Sequence, residues 1–184
     1  ASGVEGDDKG SPHGGKVTHL SVMERLAGTM TELLLARGGV HYGADVALRL
    51  QLLAGVAGGL AYLHSRNMVH GDVRSDNVLL TAVSRWSPFP AAKLAGLGSC
   101  VGSKTGESLV GKADGSGGIT ASSDVYSFGV MAWQVLTGRM PPKVDALLDG
   151  GRPQVAALVP PGVVAVLAAC WARAPASRPT MAVV

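Results

Sequence analysis

The chain has 184 residues, 47% of them hydrophobic, and a formal net charge of +3. That length suffices for one domain with a real core, and the basic residues are scattered rather than blocked, which argues against nucleic acid or an anionic membrane as partner. The two cysteines, Cys100 and Cys170, stand apart among apolar or small neighbours and read as reduced thiols, and no His/Cys spacing suits a metal site.

Residues 1–16 are rich in Gly, Ser, Asp and Lys and read as a flexible tail without a signal-peptide pattern. "VTHLSVMERL" (17–26) predicts a strand. "TMTELLLARG" (29–38) predicts a short helix, capped by Thr29 with Glu32 three residues on and stopped by Gly38 and Gly39. The clearest helix is 43–66, where Val46, Leu50, Leu53, Ala57, Leu60 and His64 recur at three- and four-residue steps. Gly55, Gly58 and Gly59 each cost about 1 kcal/mol against Ala, so burial or a closely passing backbone must hold this helix. "NVLL" and "AAKLA" are short strands flanking a Ser/Pro turn region at 81–90. The Gly/Ser/Lys stretch 98–118 reads as a loop. A second strong helix is expected over 123–139, with Ser122 or Ser123 as cap and Gly138 as stop. Helices are also expected over 141–150, over 161–175 with Pro161 in the first turn, and from Arg178 to the last residue. The longest apolar run, "VVAVLAACWA", is too short to span a bilayer, so no membrane segment and a cytoplasmic location are expected.

Four blocks, "SVMERLAG", "YLHSRNMVHGDVRSDNVLL", "SDVYSFGVMAWQVLTGR" and "CWARAPASRPT", succeed one another at a spacing that resembles the C-terminal lobe of a eukaryotic protein kinase. The closest look is to the tyrosine-kinase-like group, whose members mostly phosphorylate Ser and Thr. The resemblance implies a protein-kinase-like α+β fold, here mainly the α-helical C-lobe with a small β element and the N-lobe largely absent. It implies a partial kinase domain over 17–184, ending within the segment the family calls αI.

The resemblance also implies roles. The family's catalytic loop, H-R-D-x-K-x-x-N, falls on His70, Gly71, Asp72, Val73, Arg74, Ser75, Asp76 and Asn77. Asp72 takes the place of the aspartate that accepts or orients the substrate hydroxyl, Arg74 that of the cation at the γ-phosphate, and Asn77 that of a Mg²⁺ ligand. The chemistry suits these types: a metaphosphate-like transition state needs a placed carboxylate, a hard oxygen ligand and a nearby cation. The alternative is that Asp72 and Asn77 are only turn residues, which the flanking blocks argue against. Met23 matches the gatekeeper, the Glu24 carbonyl and Leu26 amide the adenine-facing hinge, and Leu79 the floor beneath the ring; ordinary strand and core positions are the alternative. His70, Asp124, Trp133, Trp171 and Arg178 match structural positions. ATP and Mg²⁺ are the implied cofactors, and a protein substrate or protein partner the implied partner.

Four departures stand against that pattern. In "KLAGLGSC", Gly96 occupies the place of the Mg²⁺-binding aspartate of Asp-Phe-Gly, with Leu97 and Gly98 next in the chain. No glycine-rich loop or strand lysine precedes the hinge, since Lys9 and Lys16 lie in the tail. Gly71 replaces an arginine that holds an activation-loop phosphate. The Ala-Pro-Glu block is missing, leaving Glu107 as a weak candidate partner for Arg178. Three readings stay open: an enzyme moving the γ-phosphate of ATP to a protein hydroxyl, impaired in this chain; a pseudokinase that binds partners without chemistry; and a piece of a longer active kinase.

Overall fold

Helix initiation near residue 30 depends on two side chains. Thr29 Oγ1 accepts from the Glu32 N–H at 3.0 Å, and Glu32 Oε2 accepts from the Thr29 N–H at 2.8 Å. This reciprocal cap opens α1 (Met30–Leu35), directly after strand β1 (Gly28–Thr29). The computed structural model describes residues 22–35, 46–102, 118–139 and 159–184. The tail and the helix expected over 141–150 lie outside the described residues.

Helix α2 (Val46–Ser65) buries Leu48, Leu52, Leu53, Val56, Ala57, Leu60 and Leu63. The buried face is therefore wider than the expected stripe and is turned from it, leaving Val46, Leu50 and His64 only half-buried. By length and apolar composition alone α2 could cross a bilayer, but here it forms the centre of the core, packed on both sides. Its glycines divide by environment. A Cβ at Gly55 would meet the Ala92 carbonyl oxygen at 3.3 Å, and one at Gly59 would meet Leu94 Cβ at 3.5 Å, so a strand does pass close over this helix. Gly58 faces open space.

That strand is β4 (Ala92–Leu94). It pairs antiparallel with β3 (Val78–Leu80), matching Leu79 with Lys93, and β3 pairs in turn with β1, matching Thr29 with Leu79. A second ladder joins β2 (Met68–Val69) to β5 (Val101–Gly102) inside the stretch expected to be loop. The expected strand over 17–26 is not found in its described part: residues 22–26 join no ladder, and pairing begins at Ala27, whose N–H donates to the Leu80 carbonyl at 2.8 Å. Among the described residues no strand lies beyond them to accept their hydrogen bonds.

Helix α3 (Ala121–Thr137) begins two residues earlier than expected, because Thr120 is its cap. Thr120 Oγ1 accepts from the Ser123 N–H, and Ser123 Oγ accepts from the Thr120 N–H. Gly138 closes it in the left-handed region at φ 67°, as expected. Helix α4 (Pro161–Cys170) starts on proline and stops before Trp171. The expected last helix is absent: Pro179 lacks an N–H and holds Arg178 extended, and beyond it the chain makes a single turn, closed by Val183 on Thr180. Both cysteines are free thiols; Cys170 is buried, and that burial pushes its thiol pKa up to about 11.

The helices α2, α3 and α4 share one apolar core with Trp133, Val159, Trp171 and Met181. At one crossing α3 presents Gly129 to the indole: a Cβ there would lie 2.5 Å from Trp171 Nε1 and 2.8 Å from Cys170 Cβ. Gly129→Ala is expected to destabilise by about 1–3 kcal/mol through overpacking. Gly58→Ala is expected to stabilise by about 0.5–1 kcal/mol, because an exposed helix interior gains propensity with no clash. Urea denaturation of the two variants checks the opposite signs.

Candidate functional site

The loop after β2 is fastened from beneath. Asp124, on the first turn of α3 and only 2% exposed, accepts from the His70 N–H at 2.8 Å and from the Gly71 N–H at 2.9 Å. Its Oδ2 also meets His64 Nε2 at 2.9 Å, at the end of α2. Gly71 sits at φ 80°, a conformation an arginine would adopt only with strain. His70 is fully buried and works in two directions: its Nε2–H donates to the Ala95 carbonyl at 2.7 Å, while Nδ1 accepts from the Asp72 N–H at 3.2 Å. These partners select the Nε2–H tautomer. Ala95 is held from the other side as well, its N–H donating to the Asn77 carbonyl at 2.8 Å.

Asp72 and Asn77 converge. The Asn77 carboxamide donates to the Asp72 carbonyl at 2.8 Å and to Asp72 Oδ2 at 2.7 Å. Arg74 does not join them: its guanidinium pairs with Asp76 at 3.1 Å, with both side chains at least half exposed. Trp171 is buried with its indole Nε1 lacking a hydrogen-bond partner, and Trp133 is buried in the same core. Arg178 donates to the carbonyls of Ala172 and Ser122, each at 2.9 Å, and stacks over the Tyr126 ring. It thus caps carbonyls where a glutamate partner was sought, and Glu107 lies outside the described residues.

A cleft of about 500 Å³ opens above β3 and β4. All four hinge and floor residues, Met23, Glu24, Leu26 and Leu79, line it, together with Lys93, Leu94 and the Ala95–Gly98 turn. Met23 is not buried as a gatekeeper would be: it is 67% exposed. Sequence reasoning missed Lys93, which pairs with Glu24 across the cleft. It also missed Ala95 as the clasp between the loop and β4. The signal for Lys93 was its register opposite Leu79, and the long connection between the two strands hides that register.

The protein kinase domain family matches residues 16–184. The chain belongs to the protein kinase family. Its relatives include a dual serine/threonine and tyrosine protein kinase of Xenopus tropicalis, 29% identical over 79% of this chain and 17% of that protein. A calmodulin-binding receptor-like cytoplasmic kinase 3 of Arabidopsis thaliana is 36% identical over 55% of the chain and 22% of its own length. Cyclic GMP-binding protein C of Dictyostelium discoideum is 27% identical over 89% and 8% respectively. The chain therefore spans less than a quarter of the length of these relatives. Within the family the observed helices and the three-stranded sheet form part of the kinase fold, with the loop at His70 and Gly71 bonded to α3.

ATP and Mg²⁺, the family's reactants, fare differently here. The cleft has a volume suited to a small molecule, and Leu26, Leu79 and Leu94 give it an apolar floor that fits a nucleotide base. Mg²⁺ asks for oxygen ligands in near-octahedral array, with one or two carboxylates beside the phosphates. Gly96 supplies no side-chain oxygen, and Asp72 Oδ2 is engaged by Asn77. A Cβ at Gly96 would lie 2.7 Å from Asn77 Cγ and 2.8 Å from its Oδ1, at φ 76°. Among the described residues no cluster of three His, Cys, Asp or Glu side chains gathers for a metal. The residues present do not fit Mg²⁺ in the family's manner.

The Asp124 clasp predicts a measurable loss. Asp124→Asn replaces one acceptor oxygen by an NH₂ facing other donors, and should cost about 1–3 kcal/mol. Denaturant midpoints measure that cost. Hydrogen exchange should show the His70 and Gly71 amides opening faster than the core of α2.

Proposed function

We propose that this chain carries a kinase nucleotide cleft and catalytic loop whose family reaction, transfer of the ATP γ-phosphate to a protein Ser or Thr hydroxyl, is impaired. The observation that carries this is Gly96 in the left-handed region with Asn77 filling the space its side chain would need. The loop keeps a carboxylate to orient a hydroxyl, but the metal-binding carboxylate is missing. A charge-assisted contact of that kind supplies several kcal/mol to a transition state, and each 1.36 kcal/mol is about tenfold in rate. What remains is a kinase-shaped module that binds nucleotide weakly and without Mg²⁺, and that acts by holding a protein partner. Asp72 keeps the hydroxyl-orienting role, Asn77 the oxygen nearest the phosphates, and Arg74 becomes a surface cation. The cytoplasm is the proposed location, in keeping with the relative named a cytoplasmic kinase.

A second reading is favoured by the small share of each relative that the chain spans. Under it, residues 17–184 are one part of a longer kinase whose glycine-rich loop and lysine lie elsewhere in sequence. Gly96 limits the chemistry under that reading too.

Incubation with radiolabelled ATP, Mg²⁺ and a generic protein acceptor should give no more transfer than the Asp72→Asn variant. Turnover above that background, abolished by Asp72→Asn, would overturn the proposal. Gly96→Asp alone should not restore transfer, because the added carboxyl is strained by about 1–2 kcal/mol in the left-handed region and collides with Asn77.

A further inference from the structure

The connection between β3 and β4 is a hairpin whose tip is fixed by its own polar groups. Ser84 and Ser87 form an isolated antiparallel bridge, each N–H donating to the other's carbonyl, at 2.8 and 3.1 Å. Ser84 Oγ also accepts from the N–H groups of Trp86 and Ser87, and Ser87 Oγ donates to the Phe89 carbonyl at 3.1 Å. Pro88 and Pro90 fix two further φ angles. What this rigid turn displays is apolar. Trp86 is 86% exposed, Val83 61% and Phe89 53%, whereas Trp133 and Trp171 are each 5% exposed. The Arg85 guanidinium lies 5.1 Å from the Trp86 ring centroid and enters none of the ion pairs among the described residues. No acidic residue occurs between Asp76 and Glu107 in sequence, so nothing in this stretch repels an anionic surface.

We propose that this hairpin is a membrane-docking tip, with Trp86, Phe89 and Val83 entering the surface of a phospholipid bilayer and Arg85 meeting the headgroup phosphates. Two observations favour lipid over protein. An indole, apolar but for one N–H, suits the boundary between acyl chains and headgroups. The tip, residues 81–90, also falls well short of the roughly 20–30 residues a side that a stable protein interface takes. Because the turn is already fixed by Ser84 and Ser87, docking has little left to order. The charge of the whole chain is scattered and does not draw it to a membrane, so the apolar side chains lead and Arg85 follows. Docking of this kind is weak and reversible, as it is for a single lipid chain. It lies outside the nucleotide cleft and does not depend on how that cleft is read.

Sedimentation of the 184-residue chain with vesicles of mixed phosphatidylcholine and phosphatidylserine tests the proposal. The parent should partition into the lipid pellet, and high salt should reduce that only slightly, because apolar contact dominates. Trp86→Ala should weaken partitioning at least about tenfold, the weight of one buried aromatic side chain, and Phe89→Ser several-fold. Trp86→Phe should keep most of it. Both positions are exposed, so thermal melting of each variant should match the parent. Of the three tryptophans only Trp86 is exposed. Parent emission should therefore shift to the blue on vesicles and be quenched by brominated acyl chains, and neither response should survive in Trp86→Ala. A parent that stays in the supernatant, or partitioning that Trp86→Ala leaves unchanged, overturns the proposal. So does partitioning abolished by salt, which would make the contact one of basic charge alone. A blue shift that grows with protein concentration in the absence of lipid overturns it too, and assigns the tip to a second copy of the chain.

Discussion

One buried carboxylate organises this molecule. Asp124 accepts from two consecutive backbone amides, at His70 and Gly71, and meets a histidine from α2. A charge at 2% exposure would be costly alone, but three close partners replace the water it gave up. Those partners come from a helix end and a loop more than fifty residues earlier in the chain. The bond network then runs outward without a gap. His70 carries it to Ala95, Ala95 to Asn77, and Asn77 to Asp72. The position of the Asp72 carboxylate is thus set by packing between α2 and α3.

The same network explains why the loop keeps its shape with glycine at 71 and 96. Its bonds to Asp124 use backbone N–H groups, which no substitution at 71 or 96 removes. Gly71 even relaxes the loop, since φ 80° costs glycine little. The absence of a carboxyl at Gly96 and the retained shape at Asp72 are independent, because the core maintains the shape.

How much of this was legible in the sequence divides by range. The cap at Thr29 and Glu32, the stop at Gly138, the proline start of α4 and the two strands "NVLL" and "AAKLA" are local signals, and each appears within one or two residues of its expected place. The convergence of Asp72 with Asn77 is implied by their spacing in the loop and by the resemblance. Long-range features were hidden. Ser123 was expected to cap α3, yet it is the third residue of a box whose cap is Thr120, since both hydroxyls satisfy the same local pattern. The face that α2 buries depends on two neighbours, β4 and α3, which widen the stripe beyond a single helical period. Met23 lines the cleft as expected of a hinge residue but is 67% exposed, because burying it takes an element on its far side. Lys93 carried no motif at all; only the strand register makes it a cleft residue.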